Sequence, residues 1–274
     1  MQNLFNNQSY PLVSSKEEAI AALRADVTKA TAIRAPDWTQ QVEQIQSGIT
    51  ITDDPELAAR YNKPKDDPER KMTGEKGYLV PFTADDIRRE AQNNGISIDE
   101  NTLSLFTKHL AEVREKFLEI QTELLGHDQF ETVGRLLFAP IGAEGRAPVM
   151  HVDNYFLTLH ETFKGALLRV HSEKGMAFNE TIWNMLDRQK TSKKSIETDQ
   201  SQTQLLIAAT TDFNDEFANT TTGDVLIMHG QQGKNLSDPA ERQKVCVHSS
   251  SQMIRVQGQV AVSYFTRPLP ETYL

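Results

Sequence analysis

Two residues of this sequence, His151 and Asp153, have the types and the spacing of a pair of metal ligands. Residues i and i+2 of a β-strand project from the same face, so we expect the His151 imidazole and the Asp153 carboxylate to point the same way. A divalent metal ion accepts an imidazole nitrogen together with a carboxylate oxygen. The alternative interpretation is a structural hydrogen bond between the two side chains at the end of a strand.

A third ligand has to come from a distant part of the chain, and two histidines are candidates. His248 and His229 each end a predicted strand, and the glycine that follows His229 favours a plain surface position for it. Two histidines and one carboxylate on one side of a metal ion form the facial triad of non-haem iron(II) oxygenases. The sequence therefore predicts that His151 and Asp153, together with one of these two histidines, are ligands of one metal ion. The alternative for His248 is a surface position at the end of its strand.

The order of these motifs resembles the iron(II)/2-oxoglutarate dioxygenase superfamily. The HxD motif at 151–153 comes first, a Gly-Asp-Val-Leu-Ile strand at 223–227 follows, and a His-Ser pair at 248–249 precedes a last apolar strand. Together with the Glu-Thr-Phe-Lys-Gly segment at 161–165, the arrangement is most similar to an uncharacterised bacterial domain family of unknown function within that group. The resemblance covers residues 130–268, and it implies a double-stranded β-helix, a jelly-roll or cupin-like fold.

The resemblance also implies a metal and a co-substrate. It makes His151, Asp153 and His248 the ligands of Fe(II), and it implies 2-oxoglutarate as an organic acid bound beside the metal. Members of the superfamily hold the distal carboxylate of that acid with a cation at the start of the last strand, where this chain has Gln259. A guanidinium can bind a carboxylate through two parallel N–H bonds. The candidate substitutes for the missing cation are Arg169, Arg255 and Arg267.

Short segments rich in Val, Ile, Leu, Thr and Tyr follow residue 130 and predict strands. Polar connectors with Gly, Asn and Pro separate them, which is typical of an antiparallel sandwich or a jelly-roll-like barrel. A long polar stretch at 186–203, which includes the basic cluster 188–194, predicts a surface loop, with a lid as the alternative. The predicted strands are 135–139, 149–153, 155–163, 166–170, 204–209, 224–229, 244–248 and 259–265.

The N-terminal half predicts helices. A first helix begins after Ser15, and a second begins after Thr83 and ends near Gly95. The longest runs from Asp99 to Leu125, because its apolar residues recur every three or four positions. We expect its apolar stripe to pack against the β-rich part, and a homodimer interface is the alternative use of that stripe.

The chain is thus predicted to have an α+β fold, with a helical part at 1–128 and a double-stranded β-helix domain at 129–274. A loop is expected at 61–76, where prolines and charged residues are concentrated.

Several further side chains have plainer interpretations. On a continuous strand His160 alternates to the face opposite His151, so it is not expected to be a ligand. Glu161 and Asp224 can form an acid–base pair for a hydrolase only if their strands bring them together. Cys246 is interpreted as a small buried core residue. Capping or exposure explains the remaining histidines, which are His109, His127 and His171.

Composition excludes several classes of protein. The 274 residues carry 29 Lys and Arg against 38 Asp and Glu, a formal net charge of −9, so neither nucleic acid nor an anionic membrane is an expected partner. A single cysteine excludes an internal disulfide and a cysteine-rich zinc ribbon. Residues 1–15 have no basic leader with an apolar run, and no stretch reaches the roughly 20 apolar residues of a spanning helix. We expect a cytoplasmic protein.

These features predict a mononuclear iron(II)-dependent oxygenase that acts on a small molecule or a side chain. Two alternatives stay open. One is a non-catalytic metal- or ligand-binding β-helix module, and the other is a cupin-like isomerase or hydrolase that uses the metal as a Lewis acid. Spacing alone does not choose iron over zinc or manganese, because the same nitrogen and oxygen ligands accept all three.

Overall fold

The computed structural model shows a mixed α and β architecture built around one large sheet. The residues that it describes are 10–25, 28–63, 75–76, 81–126, 130–144, 150–170, 180, 183, 184, 186, 221–251 and 253–268. Several predicted features lie outside these residues: strand 204–209, the basic cluster 188–194, His127 and His171.

Most of the strands belong to the large sheet. Their bounds are β1 (Leu12–Val13), β2 (Ala30–Ile33), β3 (Ile49–Ile51), β4 (Glu75–Lys76), β5 (Ile96–Ile98), β6 (Phe130–Ala139), β7 (Leu157–Gly165), β8 (Arg169–Val170), β9 (Val225–His229), β10 (His248–Ser249) and β11 (Gln259–Pro268). Within the described residues, seven strands form this sheet in the order β1-β2-β9-β7-β11-β6-β4. Strands β1 and β2 are parallel, and the other neighbours are antiparallel. Two shorter antiparallel ladders pair β10 with β8 and β3 with β5.

Most of the helices begin where a side chain accepts from the free N–H groups of the first turn, or where a proline, which has no N–H, takes the first position. Thr83 and Asp86 form a capping box, and the Ser15 hydroxyl accepts from the N–H of Glu18. Among the described residues, no helix combines the length and the apolar character needed to cross a membrane. The helices are α1 (Lys16–Arg24), α2 (Pro36–Ser47), α3 (Pro55–Tyr61), α4 (Ala84–Asn93), α5 (Glu100–Leu125), α6 (Pro239–Arg242) and α7 (Ile254–Gln257).

Helix α5 is the predicted long helix, and its ends follow from the local sequence. The Asp99 carboxylate accepts a hydrogen bond from the N–H of Thr102 at 2.9 Å. Gly126 follows the last turn with φ of 88°, a left-handed conformation that glycine adopts without strain. The apolar stripe is buried within the chain, as predicted; its buried members are Leu103, Phe106, Leu110, Val113, Phe117 and Ile120.

The main core lies between α5 and one face of the large sheet. Phe106 packs against Phe163 of β7 with ring centroids 4.4 Å apart, and Phe117 packs against Tyr264 of β11 at 6.3 Å. The Tyr264 hydroxyl also donates to the carbonyl of Leu110 at 3.1 Å. Each fully buried aromatic side chain stabilises the fold by about 1.5–3 kcal/mol. This aromatic packing therefore determines which face of β7 and β11 contacts α5 and which face points away from it.

The opposite face of these two strands carries polar residues. Side chains alternate along a strand, so Thr158, His160 and Thr162 of β7 project away from α5. On β11, Ser263 and Phe265 project from that same face, and Ser263 is the cross-strand neighbour of His160. The face opposite the main core therefore presents hydroxyl and imidazole groups in the middle of the sheet.

Four predicted strands of the C-terminal part are confirmed with adjusted ends, as β6, β7, β9 and β11. The predicted strand at 149–153 is wrong over its described residues. Only His151 pairs there, through an isolated bridge with His248, and the chain bends at 154–156.

Two other predicted strands are shorter than expected. Only Arg169–Val170 of the segment 166–170 is extended and paired. Of the segment 244–248, only His248 lies in a strand. The reason is a turn that continues from α6, in which the N–H of Lys244 donates to the carbonyl of Glu241 at 3.0 Å.

The N-terminal part contributes strands as well as helices to this fold. Strands β1 and β2 extend the large sheet beside β9, and all residues of Ala30–Ile33 are buried. The sheet thus draws strands from both predicted segments, 1–128 and 129–274. Residues 127–129, at the predicted boundary, lie outside the described residues, and the division into two domains stays a prediction.

Candidate metal centre

Two backbone hydrogen bonds hold the candidate histidine ligands side by side. The N–H of His151 donates to the carbonyl of His248 at 2.8 Å, and the N–H of His248 donates to the carbonyl of His151 at 2.9 Å. Their ring centroids are 4.3 Å apart, with an angle of 55° between the planes. The fold therefore brings the HxD motif and the distant His248 together.

Asp153 completes the cluster. Its Oδ1 lies 3.7 Å from Nε2 of His151, and its Oδ2 lies 3.4 Å from Nε2 of His248. One ligand atom from each of the three residues lies within 4.8 Å of the others. Two atoms bound to one ion at about 2.1 Å are separated by about 3.0 Å at a right angle and about 3.4 Å at a tetrahedral angle. The two histidine–carboxylate separations, 3.7 Å and 3.4 Å, lie at or slightly above these values, so the three side chains are near enough to one another to bind a single divalent ion.

Strand β7 fixes the carboxylate of Asp153. The hydroxyl of Thr158 donates to Oδ2 of Asp153 at 2.7 Å. The side chains of His248 and Asp153 are 5% and 14% exposed, whereas that of His151 is 23% exposed. The cluster is therefore shielded by the sheet and reached by solvent from the His151 side.

Burial and mutual charge set the protonation of the cluster. Burial lowers the pKa of His248 to about 4, against the opposing effect of the Asp153 charge. Burial raises the pKa of the Asp153 carboxyl, but His248, His151 and the hydrogen bond from Thr158 outweigh it and hold that pKa below its usual range. Near neutral pH the cluster offers an ionised carboxylate and a neutral His248 ring. These are the protonation states in which the two groups bind metal.

A layer of hydrogen-bonded polar groups lies on β7 and β11 beside the cluster. The ring of His160 has Nδ1 at 2.9 Å from Oγ of Ser263 and Nε2 at 3.1 Å from Oγ1 of Thr162. Burial lowers the pKa of His160 to about 3, so the ring is neutral. The continuous strand that we assumed in excluding His160 is absent, because the chain bends at 154–156. Both of its ring nitrogens are nevertheless engaged by hydroxyl groups.

Arg135 is a candidate that the sequence reasoning missed. It is the cross-strand neighbour of Ser263, which in turn neighbours His160, so the three residues form one row across β6, β11 and β7. Its guanidinium carbon lies 5.2 Å from the ring centroid of Phe265. Its charge also contributes to the lowered pKa of Asp153. Arg135 therefore places a positive charge on the face of the sheet that carries the cluster.

Arg169, the first of the predicted acid-binding arginines, lies on β8. Val170 is the cross-strand neighbour of His248, and Arg169 is the neighbour of Ser249. Cross-strand neighbours share a face of their ladder, and successive residues alternate between faces. The Arg169 side chain therefore leaves the ladder on the side opposite His248.

The other two predicted arginines are engaged with carboxylates. Arg255 of α7 forms an ion pair with Glu144, and its side chain is 62% exposed. Arg267, near the end of β11, forms an ion pair with Glu131. Neither pair includes a residue of the cluster, so the binding of an acid by these arginines stays a prediction.

The remaining sequence candidates lie outside the cluster. His229 is half-buried rather than on the surface, and its Nε2 lies 3.1 Å from the carbonyl of Leu23. Burial lowers its pKa to about 4. Cys246 is 1% exposed and packs in an apolar cluster, which confirms its interpretation as a core residue. Burial raises the pKa of the Cys246 thiol to about 12.

Glu161 and Asp224 each pair with a basic side chain of another segment instead of forming an acid–base pair with each other. Oε1 of Glu161 lies 2.8 Å from Nε2 of His109, and both side chains are fully buried. The interpretation of His109 as a capping or exposed residue is therefore wrong. Asp224 receives two hydrogen bonds of 2.7 Å from Arg34 of the segment after β2.

Comparison with protein-family models and with curated proteins finds no match to the chain. Among solved structures, a dioxygenase for auxin oxidation in rice is similar at 13% identity and a TM-score of 0.43, over 96% of this chain and 84% of that one. A dioxygenase for auxin oxidation from Arabidopsis thaliana, in a binary complex with 2-oxoglutarate, is similar at 9% identity and a TM-score of 0.38, over 97% and 99% of the two chains. The Kdo hydroxylase KdoO, a non-heme Fe(II) alphaketoglutarate-dependent dioxygenase in complex with cobalt(II), is similar at 12% identity and a TM-score of 0.37, over 92% and 82%. TM-scores this low carry no argument about activity, so the case for a function rests on the geometry of the site.

Proposed function

We propose that this protein is a mononuclear non-haem iron(II) oxygenase. The observation that carries the proposal is the cluster of His151, Asp153 and His248, with ligand atoms within 4.8 Å of one another. Two imidazoles with one carboxylate are the donor set of the iron(II) facial triad, which leaves coordination positions free for other ligands. When bound, iron(II) supplies the one-electron and dioxygen chemistry that amino-acid side chains lack.

We also propose that the β-rich part is a double-stranded β-helix. In support, strands β9, β7, β11 and β6 form an antiparallel layer, while β8, β10 and the bridge at His151 form a second ladder. The two layers share an apolar cluster, in which Val170 of β8 and Cys246 pack with Leu226 and Met228 of β9. Two antiparallel layers packed face to face around an internal site are typical of jelly-roll folds.

For the co-substrate, we propose 2-oxoglutarate, bound by Arg135. A buried carboxylate requires a charged partner, and a guanidinium supplies two parallel N–H bonds. Arg135 lies in the row with Ser263 and His160, on the face that carries the cluster, and its charge acts on Asp153. It is therefore better placed than Arg169, whose side chain leaves the opposite side of its ladder from His248.

The residues around the cluster orient its ligands and limit access of water. Thr158 fixes the Asp153 carboxylate, and the paired backbone bonds fix the separation of His151 from His248. The ring of Tyr155 packs against Phe265 at 4.6 Å and covers this side of the sheet. We propose that the substrate, a small molecule or a side chain, approaches from the His151 side, where exposure is greatest.

Metal analysis of protein purified without chelator tests the proposal. We expect bound iron in the wild type, loss of iron in His151→Ala and His248→Ala, and retention in His229→Ala, which alters a histidine outside the cluster. Anaerobic addition of 2-oxoglutarate to the iron-loaded protein should produce a visible charge-transfer band. Equal iron content in the wild type and in both ligand variants would exclude this metal centre.

A second candidate function is a metal-dependent isomerase, hydrolase or binding module that uses no organic acid. The observation in its favour is Gln259, which occupies the expected position of the cation at the start of β11 and donates its amide to the carbonyl of Ala166 at 2.8 Å. In that case the metal acts as a Lewis acid or only binds a ligand. Metal bound by the cluster, together with no spectral change on addition of 2-oxoglutarate, would favour this candidate.

A further inference from the structure

The segment 151–156, which begins with the HxD motif and is called the HxD segment below, is held in place by the turn that follows β9. Successive N–H groups of this turn donate to carbonyls of the segment 153–156: Gly230 to Phe156 at 3.0 Å, Gln231 to Asp153 at 2.9 Å, and Gln232 to Tyr155 at 3.2 Å. These bonds replace the ladder that a strand would form, which explains why the segment bends. The position of Asp153 therefore depends on the turn at 230–232.

The side chain of Gln231 adds contacts on both sides of Asp153. Its Nε2 lies 3.3 Å from the carbonyl of Val152 and 2.5 Å from Oδ1 of Asn154, and it donates to both. Gln231 is only 1% exposed, so water does not compete for these bonds. One residue thus binds the backbone of Asp153 and both of its chain neighbours.

The other end of the same amide is left unsatisfied. Oε1 of Gln231 is buried and has no hydrogen-bond partner among the described residues. A buried acceptor without a donor costs about 1–3 kcal/mol, whereas an apolar side chain of similar shape avoids that cost. The unsatisfied Oε1 therefore offsets part of the stability that the two hydrogen bonds of Nε2 contribute. What glutamine supplies is an amide with two N–H donors, and both are directed at the HxD segment.

The turn is seated directly on the HxD segment. A Cβ atom on Gly230 would lie 2.1 Å from the carbonyl oxygen of Tyr155 and 2.7 Å from that of Asp153. Contacts this short do not occur between real atoms, so only glycine allows the turn to approach so closely. Because no free space separates the turn from the segment, a displacement of Gln231 would also displace Asp153.

We infer that Gln231 is a positioning residue for the metal centre. Its amide holds Val152 and Asn154 and so sets the place of the Asp153 carboxylate relative to His248. The inference rests on the metal site proposed above, and Gln231 acts through Asp153 without binding the metal itself.

Cobalt(II) titration of the purified protein, followed by its visible spectrum, tests the inference. We expect Gln231→Met to bind cobalt 10- to 100-fold more weakly, about the loss seen when residues that orient metal ligands are changed. We also expect an altered visible spectrum, because the carboxylate shifts. The melting temperature of the metal-free variant should change little, because the substitution removes the unsatisfied Oε1 but also takes the donor away from the carbonyl of Val152. The matched control is Gln232→Met, which keeps its backbone bond to Tyr155 and should behave as the wild type.

The outcomes separate this inference from the proposed function. Wild-type protein that fails to bind cobalt would refute the metal site itself. Wild-type binding together with an unchanged affinity and spectrum in Gln231→Met would overturn the positioning role and leave the site intact. If Gln231→Met does not fold, the same titration of Gln231→Asn tests the inference. The asparagine side chain is one methylene shorter, so its amide does not reach the carbonyl of Val152. Wild-type affinity in Gln231→Asn would overturn the inference.

Discussion

The hydroxyl of Thr158 donates a 2.7 Å hydrogen bond to Oδ2 of Asp153, the oxygen that lies 3.4 Å from Nε2 of His248. A strand of the large sheet thereby controls which carboxylate oxygen faces the histidine. Hydrogen bonds of this kind orient metal ligands and tune their affinity. The sheet thus takes part in the site even though none of the three proposed ligands lies in it.

Replacing Thr158 by valine should weaken metal binding. The substitution keeps the β-branched shape and removes the donor, so the Asp153 carboxylate is freed to rotate. We expect roughly tenfold weaker binding of cobalt(II), measured by titration. The control is Thr162→Val, on the same strand and face and equally buried, whose hydroxyl contacts His160 instead. Equal losses of affinity in the two variants would show that Thr158 has no specific role.

Replacing Arg135 by glutamine should weaken the binding of 2-oxoglutarate without affecting the metal. Charged hydrogen bonds contribute about 1.5–3 kcal/mol each, which corresponds to roughly 10- to 100-fold in affinity for the acid. The measurement is an anaerobic titration of the cobalt-loaded protein with 2-oxoglutarate. Arg267→Gln, which alters a predicted arginine that pairs with Glu131, should leave the affinity unchanged. If Arg267→Gln weakens the binding of 2-oxoglutarate and Arg135→Gln does not, then Arg267, as predicted from the sequence, binds the acid and Arg135 does not.

The convergence of the cluster was predictable because its signals are local. The HxD motif, the glycine-aspartate strand and the histidine each appear as short patterns, and the resemblance of their order to the dioxygenase superfamily implied that His151, Asp153 and His248 meet. The geometry of the HxD segment was not predictable, because it depends on bonds from Gln231 that lie far along the chain. The prediction of a strand at 149–153 failed for this reason.

Tertiary contacts also decided the elements that sequence patterns missed. Ala30–Ile33 shows no alternation, because both of its faces are buried in the extended sheet. Arg135 is the first residue of a predicted strand, and only the register of β6 against β11 places it beside Ser263. His109 was misread because its partner, Glu161, lies on a different element. Helix α5, with caps and a long apolar period in its own sequence, needed no such information.

Removing the carboxylate of Asp224 should destabilise the attachment of β2 to the sheet. Asp224 is almost fully buried and binds Arg34 through both oxygens, with the N–H of Thr221 as a further donor. We expect Asp224→Ala to lower the free energy of unfolding by about 2 kcal/mol, since Arg34 stays partly hydrated after the loss.

Urea unfolding measures the effect of Asp224→Ala, with Glu123→Ala as its control. Glu123 pairs with Arg24 on the surface, where both side chains are more than half exposed. An exposed pair contributes less than about 1 kcal/mol. If the two variants lose the same stability, the Arg34–Asp224 pair is no more than a surface contact.

The buried pair of His109 and Glu161 should give the protein a distinctive pH dependence. Burial opposes protonation of His109, but the charge and hydrogen bond of Glu161 outweigh it and raise the pKa of the imidazole. A raised pKa means that the folded state binds the proton more tightly than the unfolded state does. The protonated pair therefore contributes fully to stability below the pKa of about 6.5 that histidine has in the unfolded chain. This contribution is lost as pH rises through the pKa of His109 in the folded protein. We therefore expect the contribution of this pair to the free energy of unfolding to fall as pH increases above the pKa of a histidine in the unfolded chain.

Urea unfolding of the wild type and of Glu161→Gln at several pH values isolates this contribution. His160, His229 and His248 have lowered pKa values, so they bind protons mainly in the unfolded state and make stability rise with pH up to about 6.5. Their effect is common to both proteins and cancels in the difference. The difference in stability should therefore shrink as pH rises through the raised pKa of His109, because Glu161→Gln removes the charge that stabilises the imidazolium. A difference that stays constant across this range would show that His109 is neutral in the folded protein throughout.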